Sequence, residues 1–136
     1  MDRLRAADEA SHSYEVMWHL HDNPTMLRDH TVHNAYEDGV GITVSVSGGS
    51  MNLVRGQKTP YWQGWLPKHG VGDVEHYPIP TLVNTGLFTG ETRIVTVLCP
   101  YTENAPRITA VQASADVHDT KITVVLADGT AVEIEE

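Results

Sequence analysis

The chain has 136 residues, which is enough for one domain with a sizeable hydrophobic core, and we expect residues 1–136 to form a single domain. Apolar residues make up 40% of the sequence, which argues against a disordered tail. Eighteen acidic and nine basic side chains give a formal charge of −9, which disfavours nucleic acid and anionic membranes as partners.

Alternation of apolar and polar residues predicts β-strands along most of the chain. The first strand has two faces, with Tyr14, Val16, Trp18 and Leu20 on one side and Glu15, Met17, His19 and His21 on the other. Further strands are predicted over 26–33, 42–46, 51–56, 81–88, 92–98, 108–113, 121–126 and 130–134. A short helix is predicted over Asp2 to Ala10, and Asp128-Gly129 predicts a hairpin turn. About nine short strands with turns between them predict an all-β fold, an antiparallel β-sandwich.

Two features bear on the cellular compartment. A single cysteine, Cys99, excludes an internal disulfide, and its place in the apolar run IVTVLCP predicts a buried small hydrophobe. No stretch approaches the ~20 apolar residues that cross a bilayer, and MDRLRAADEA lacks the apolar segment of a signal peptide. The compartment stays open, and a periplasmic or secreted parent protein would carry its signal elsewhere.

The segment from Gln57 to Pro80 breaks the strand pattern with prolines, glycines and aromatic residues, and loops of this length are commonly functional. Basic and aromatic side chains alternate here, because Tyr61, Trp62 and Trp65 lie among Arg55, Lys58, Lys68 and His69. Aromatic faces can stack on sugar rings, and arginine can pair with a carboxylate or sulfate through two hydrogen bonds. We predict substrate binding by Arg55, Lys58, Trp62, Gln63 and Trp65. The alternative is that both tryptophans plug the sandwich or a seam against another domain.

Two histidine pairs are candidates for metal ligands. His19 and His21 project from one strand face, because residues two apart point the same way. Thr25 and Met26 stand about where a carboxylate ligand would be expected, so the alternative is a polar or interdomain face. The pair His30 and His33 is equally unspecific. No nucleophile motif, phosphate-binding loop or C-x-x-C pair occurs, so we predict no catalytic residue, no metal and no cofactor in this chain.

The stretch DRLRAADEASHSYEVMWHL, together with the later RGQKTPYWQGWLP, resembles the C-terminal part of heparinase II/III-like polysaccharide lyases. The resemblance rests on Asp2-Arg3, on the residues from His12 to Leu20, and on those from Gly56 to Trp65. It implies an antiparallel β-sandwich that is joined, in the family, to an α/α-toroid. It also implies that the parent protein cleaves acidic polysaccharides by β-elimination.

The resemblance does not carry the family's catalytic residues onto this chain. In the family, the catalytic tyrosine and one histidine lie in the toroid, and the metal-binding set lies upstream of the Asp-Arg entry. His33-Asn34 resembles an upstream His-Asn pair but follows the W-H-L strand, in the wrong order. We therefore expect a sandwich domain that lacks the toroid, is inactive alone, and meets acidic polysaccharide through the parent protein. The alternatives are a carbohydrate-binding module and a structural module that forms a homo-oligomer.

Overall fold

The computed structural model describes residues 1–103, 107–119 and 121–135. Within these ranges the chain forms fourteen β-strands and one 3₁₀ turn at Glu37–Gly39, and no helix there has the length and apolar character needed to span a bilayer. The strands are β1 (Asp2–Arg5), β2 (His12–His19), β3 (Thr25–Arg28), β4 (Thr31–Ala35), β5 (Gly41–Val46), β6 (Ser50–Arg55), β7 (Trp65–Pro67), β8 (His76–Pro78), β9 (Pro80–Phe88), β10 (Glu91–Ile94), β11 (Thr96–Tyr101), β12 (Ile108–Ala113), β13 (Lys121–Leu126) and β14 (Ala131–Glu135). The predicted all-β class is confirmed, with more strands than the nine or so expected.

Two antiparallel sheets pack face to face around the main core. One has the strand order β2-β9-β6, and the other has the order β11-β5-β4-β3. Leu82 from the first sheet and Val32 and Val44 from the second are fully buried where the sheets meet, and Trp18 packs against them. The alternation predicted for β2 is confirmed, because its side chains are half-buried and exposed in turn. This pair of sheets is the sandwich predicted from the sequence.

A third sheet, of order β12-β13-β14, covers the other face of the second sheet. Its contact is a smaller core that includes Ile108 and Val124, and Thr31 Oγ1 donates across it to the carbonyl oxygen of Thr109 at 3.3 Å. Successive residues of a strand point to opposite faces. Thus β4 sends Val32 into the main core and sends Thr31 and His33 toward the third sheet.

Three sequence predictions are corrected by the sheet pairing. The helix predicted over Asp2 to Ala10 is wrong, because β1 pairs with β10 and Leu4 packs on the main core. Tertiary pairing of this kind overrides weak local propensity. The strand predicted over 92–98 is divided at Val95, whose N–H donates to Ser47 Oγ at 2.9 Å where the chain passes from one sheet to another. Cys99 is half-buried instead of buried, because β11 is the edge strand of its sheet.

The strand predicted over 26–33 is a hairpin. Asp29 and His30 form the turn between β3 and β4, and both have a left-handed backbone, with φ of 48° and 60°. Two successive residues with positive φ are typical of the tight turns that join antiparallel strands. The hairpin predicted at Asp128-Gly129 is confirmed between β13 and β14.

The segment from Gln57 to Pro80 is irregular as predicted, but it is tightly folded. Its two short strands, β7 and β8, pair with each other. Gly64 has a φ of +71°, and a Cβ atom there would lie 3.0 Å from the Cα of Arg55 and from the carbonyl oxygen of Ile79. Only glycine allows this approach without displacing the backbone. The segment is thereby held against the end of β6.

Candidate functional site

The long loop closes on itself and lies against the outward face of β2. Gln57 and Gln63 exchange two backbone hydrogen bonds of 2.9 and 3.0 Å, which draw residues 58–62 into a tight turn. Between this turn, β2 and the β7–β8 hairpin lies an open hollow of about 410 Å³. We call it the aromatic cleft, and its lining includes Glu15, His19, Tyr61, Trp62, Trp65 and His76. Ligand-binding clefts in proteins typically measure about 300–1,000 Å³.

Two tryptophans form one wall of the aromatic cleft. The ring centroids of Trp62 and Trp65 lie 5.3 Å apart, and the ring centroid of His76 lies 5.9 Å from that of Trp62, with the two rings at 77° to each other. Trp65 is half-buried and anchored, because its Nε1 donates to the carbonyl oxygen of Gln57 at 2.9 Å. Trp62 is 59% exposed and presents its ring to solvent. Neither ring belongs to the two cores, and the third tryptophan, Trp18, packs there instead.

A polar floor lies beneath the two rings. The amide of Gln63 is buried, and its Nε2 donates to Glu15 Oε1 at 3.0 Å. The hydroxyl of Tyr61 donates to Glu15 Oε2 at 3.3 Å. Both carboxylate oxygens of Glu15 are therefore engaged by donors from the loop, and each retains a lone pair for a hydroxyl of a ligand.

The structure brings only part of the predicted basic patch to the aromatic cleft. Lys58 Nζ lies 5.4 Å from the Trp62 ring centroid and 5.3 Å from that of Trp65, within cation–π range. Arg55 pairs with Asp22 at 2.6 Å in a separate hollow of about 500 Å³. Lys68 pairs with Glu75 at 2.8 Å. Of the predicted binding residues, Lys58, Trp62, Gln63 and Trp65 are thus together, and Arg55 lies apart.

The fold resembles part of a heparinase III. A solved structure of that protein, with methylated lysines, matches with a TM-score of 0.61 at 15% sequence identity. The match covers 98% of this chain and 21% of the heparinase III chain, so this chain spans about a fifth of that length. No protein-family model matches the sequence, and no curated protein sequence matches it significantly. At this identity the likeness establishes a shared β-sandwich fold.

The two members of each histidine pair have different surroundings in the fold. His19 lines the aromatic cleft, whereas His21 lies beyond the end of β2 and contacts the ring of Tyr36 at 5.5 Å. His30 lies in the β3–β4 turn, and His33 lines another hollow. In the ranges that the structure describes, no group of three or more histidine, cysteine or acidic side chains is placed to hold a metal ion.

Sequence reasoning missed the wall of the aromatic cleft that β2 and β8 supply. The binding residues predicted from the sequence include neither Glu15 nor His76. The pattern of β2 does indicate that Glu15 and His19 point outward. It does not indicate what covers them, because Gln63 reaches Glu15 from 48 residues further along the chain.

Proposed function

We propose that this chain is the β-sandwich portion of a heparinase II/III-like polysaccharide lyase, and that its aromatic cleft binds a sugar chain. The main support is the exposed ring of Trp62 held beside the doubly hydrogen-bonded carboxylate of Glu15. The fold likeness to heparinase III over 98% of the chain supports the family. The W-H-L and Q-G-W motifs of the sequence point to the same family.

The aromatic cleft offers each kind of contact that a sugar ring needs. The C–H face of a pyranose can stack on Trp62, in the way that aromatic rings cover apolar surface. Its hydroxyl groups can donate to Glu15, which is exposed on β2. The ammonium of Lys58 can bind a hydroxyl or a uronic carboxylate beside the rings. One cation and one carboxylate at the same cleft favour a uronate-containing chain over a heavily sulfated one.

The proposal separates binding from cleavage. β-Elimination requires a base that removes the proton beside the uronic carboxylate, and groups that neutralise the charge that develops. We assign that chemistry to the toroid of the parent protein. The aromatic cleft then holds and orients a stretch of the polysaccharide, and these 136 residues bind the chain without cleaving it.

The experiment is a binding titration with oligosaccharides from alginate, heparin and heparan sulfate. The Trp62→Ala variant is expected to bind about tenfold more weakly, because it loses the stacking face. The matched control is Tyr36→Ala, which removes a 39% exposed ring that contacts His21 outside the aromatic cleft. Circular dichroism should show both variants folded.

Three outcomes would contradict the proposal. Absence of binding to every oligosaccharide, or equal losses in both variants, would remove the binding role from the aromatic cleft. Formation of unsaturated uronate, followed by its ultraviolet absorbance, would show that these residues cleave the chain themselves.

A further inference from the structure

A second hollow, of about 360 Å³, is built from other elements than the aromatic cleft. It lies where β3 and β4 meet the start of β12. We call it the basic hollow, and its lining includes Met26, Arg28, Asp29, His33, Arg107 and Thr109. Two arginines and a histidine share one hollow in a chain with twice as many acids as bases. Nothing in the proposed polysaccharide site uses these residues.

One residue that lines the basic hollow, His33, carries a buried polar atom without a partner. His33 is half-buried on the face of β4 that points to the third sheet, and its Nδ1 is buried without a hydrogen-bond partner among the described residues. A buried polar atom without a partner is destabilising, so such atoms in native proteins commonly mark a bound ligand, ion or water. A ligand that accepts a hydrogen bond would satisfy His33.

The charges around His33 are mostly positive. Burial, and then the positive charges of Arg107 and Arg28, lower the pKa of His33 below its usual value of 6.5. Arg107 is held in place by stacking on Tyr101, with its guanidinium carbon 4.5 Å from the ring centroid. The nearby anion is Asp29, whose carboxylate lies 3.5 Å from Arg28 Nε and is 84% exposed. An ion pair this exposed contributes little to stability. It can therefore open, and Arg28 can then pair with another anion.

We infer that the basic hollow binds a tetrahedral oxyanion, sulfate or phosphate, through Arg28, Arg107 and His33. The planar guanidinium groups present paired donors that match the oxygens of such an anion. The imidazole of His33, which lines the hollow, supplies a further N–H donor. The anion also offsets the mutual repulsion of the two arginines. It binds either as a free ion or as an ester group on a sugar, since both carry the same oxygens. This inference does not depend on the aromatic cleft.

The first test follows the imidazole of His33 by NMR as a function of pH. Sodium sulfate is compared with sodium chloride at matched ionic strength. A bound dianion favours the protonated imidazole, so sulfate is expected to raise the pKa of His33, whereas the signals of exposed His118 should be the same in the two salts. Equal pKa values for His33 in the two salts would overturn the inference.

The second test measures sulfate affinity in variants by calorimetry. Arg28→Gln, at a side chain that is 76% exposed, is expected to weaken sulfate binding about tenfold without unfolding the protein. The control is Arg5→Gln on β1, which removes one equally exposed positive charge far along the chain. An equal loss of sulfate affinity in both variants would mean that sulfate responds only to the overall charge of the protein. That result would overturn the inference of a specific site. If the Arg28→Gln variant does not fold, the NMR titration of His33 in the wild-type protein tests the inference on its own.

The same calorimetric measurement with other ligands shows whether the hollow prefers a free anion or an ester group on a sugar. Inorganic phosphate and glucose 6-sulfate are compared with inorganic sulfate, and glucose is the uncharged control. Tighter binding of the sugar ester indicates an oxyanion carried on a glycan, and tighter binding of the inorganic ions indicates a free ion. Either result supports the site, whereas binding of glucose as tight as that of its sulfate ester would contradict it.

Discussion

Gln63 is the residue that joins the two halves of the aromatic cleft. Its buried amide lies in the loop and donates to Glu15 on β2. Gln63→Glu would place a second carboxylate against the first, and we expect a loss of about 1–3 kcal/mol in unfolding free energy at pH 7. This repulsion raises the carboxyl pKa in the folded state. The loss should therefore vanish as pH falls below about 4.3, the usual pKa of glutamate.

Urea unfolding at pH 7 and pH 4 checks this prediction. The control is Gln112→Glu, because Gln112 is exposed on β12 and should tolerate the charge at both pH values. A loss that is the same at both pH values, or the same as in the control, would show that the contact between Gln63 and Glu15 has no stabilising role.

The residues on the loop side of the aromatic cleft could be predicted from the sequence, and those on the strand side could not. Lys58, Trp62 and Trp65 stand out because aromatic and basic residues are interleaved there in a long irregular segment. Arg55 fits the same pattern, yet its guanidinium pairs with Asp22. A pairing between residues so far apart in sequence leaves no local signal, and neither does the contact from Gln63 to Glu15.

At the scale of elements, β2 and β9 fit together through one glycine. Gly86 lies opposite Tyr14 in the pairing, and a Cβ atom at Gly86 would come within 2.5 Å of the Tyr14 ring. The ring therefore packs flat over the glycine. Gly86→Ala is expected to lower the unfolding free energy by about 1–3 kcal/mol, because the ring must move from its place on the main core.

A double-mutant cycle with Tyr14→Leu checks the cause. The shorter leucine leaves room for the methyl group, so Gly86→Ala should cost clearly less in that background. An equal cost in both backgrounds would mean that the glycine is required for its backbone and not for the ring of Tyr14.

The sequence predicts which segments are strands more accurately than it predicts where each strand begins and ends. Alternation predicted β2 because one face is half-buried and the other is exposed along its whole length. It could not predict the break at Val95, because a strand that passes from one sheet to another keeps its apolar character throughout. The turn at Asp29 and His30 was missed because neither residue is the glycine that positive φ usually requires.

At the scale of the whole molecule, His33 makes stability depend on pH. Its pKa is lower in the folded state than the usual 6.5, because burial and two arginines disfavour the imidazolium. The unfolded chain therefore binds more protons as pH falls from about 6.5 toward 5. We expect the unfolding free energy to decrease across this window in chloride buffer.

Thermal unfolding of the wild-type protein and of His33→Gln, measured from pH 7 to pH 5, checks this expectation. The variant should lose less stability across the window, since glutamine does not titrate. The charged groups that share the hollow with His33 are Asp29, Arg28 and Arg107. Parallel curves for the two proteins would assign the pH dependence to other groups.

The overall architecture was predictable to the level of an antiparallel sandwich, because turn signals and alternating strands recur from Ser13 to Ile134. The strands of the third sheet were predicted, but their grouping into a separate sheet was not. Its outer strand β14 is exposed throughout, and the second sheet meets β12 partly through Thr31, whose polar side chain gives no sign in the sequence that it is buried.

The most direct test of a glycan-binding sandwich uses the three tryptophan indole N–H signals of the protein in a two-dimensional NMR titration with heparan sulfate and alginate oligosaccharides. Trp62 and Trp65 line the aromatic cleft, and Trp18 lies in the main core as an internal control. We predict that the signals of Trp62 and Trp65 shift with oligosaccharide concentration while that of Trp18 stays fixed. Unchanged signals for all three, or a shift confined to Trp18, would contradict the assignment of glycan binding to the aromatic cleft.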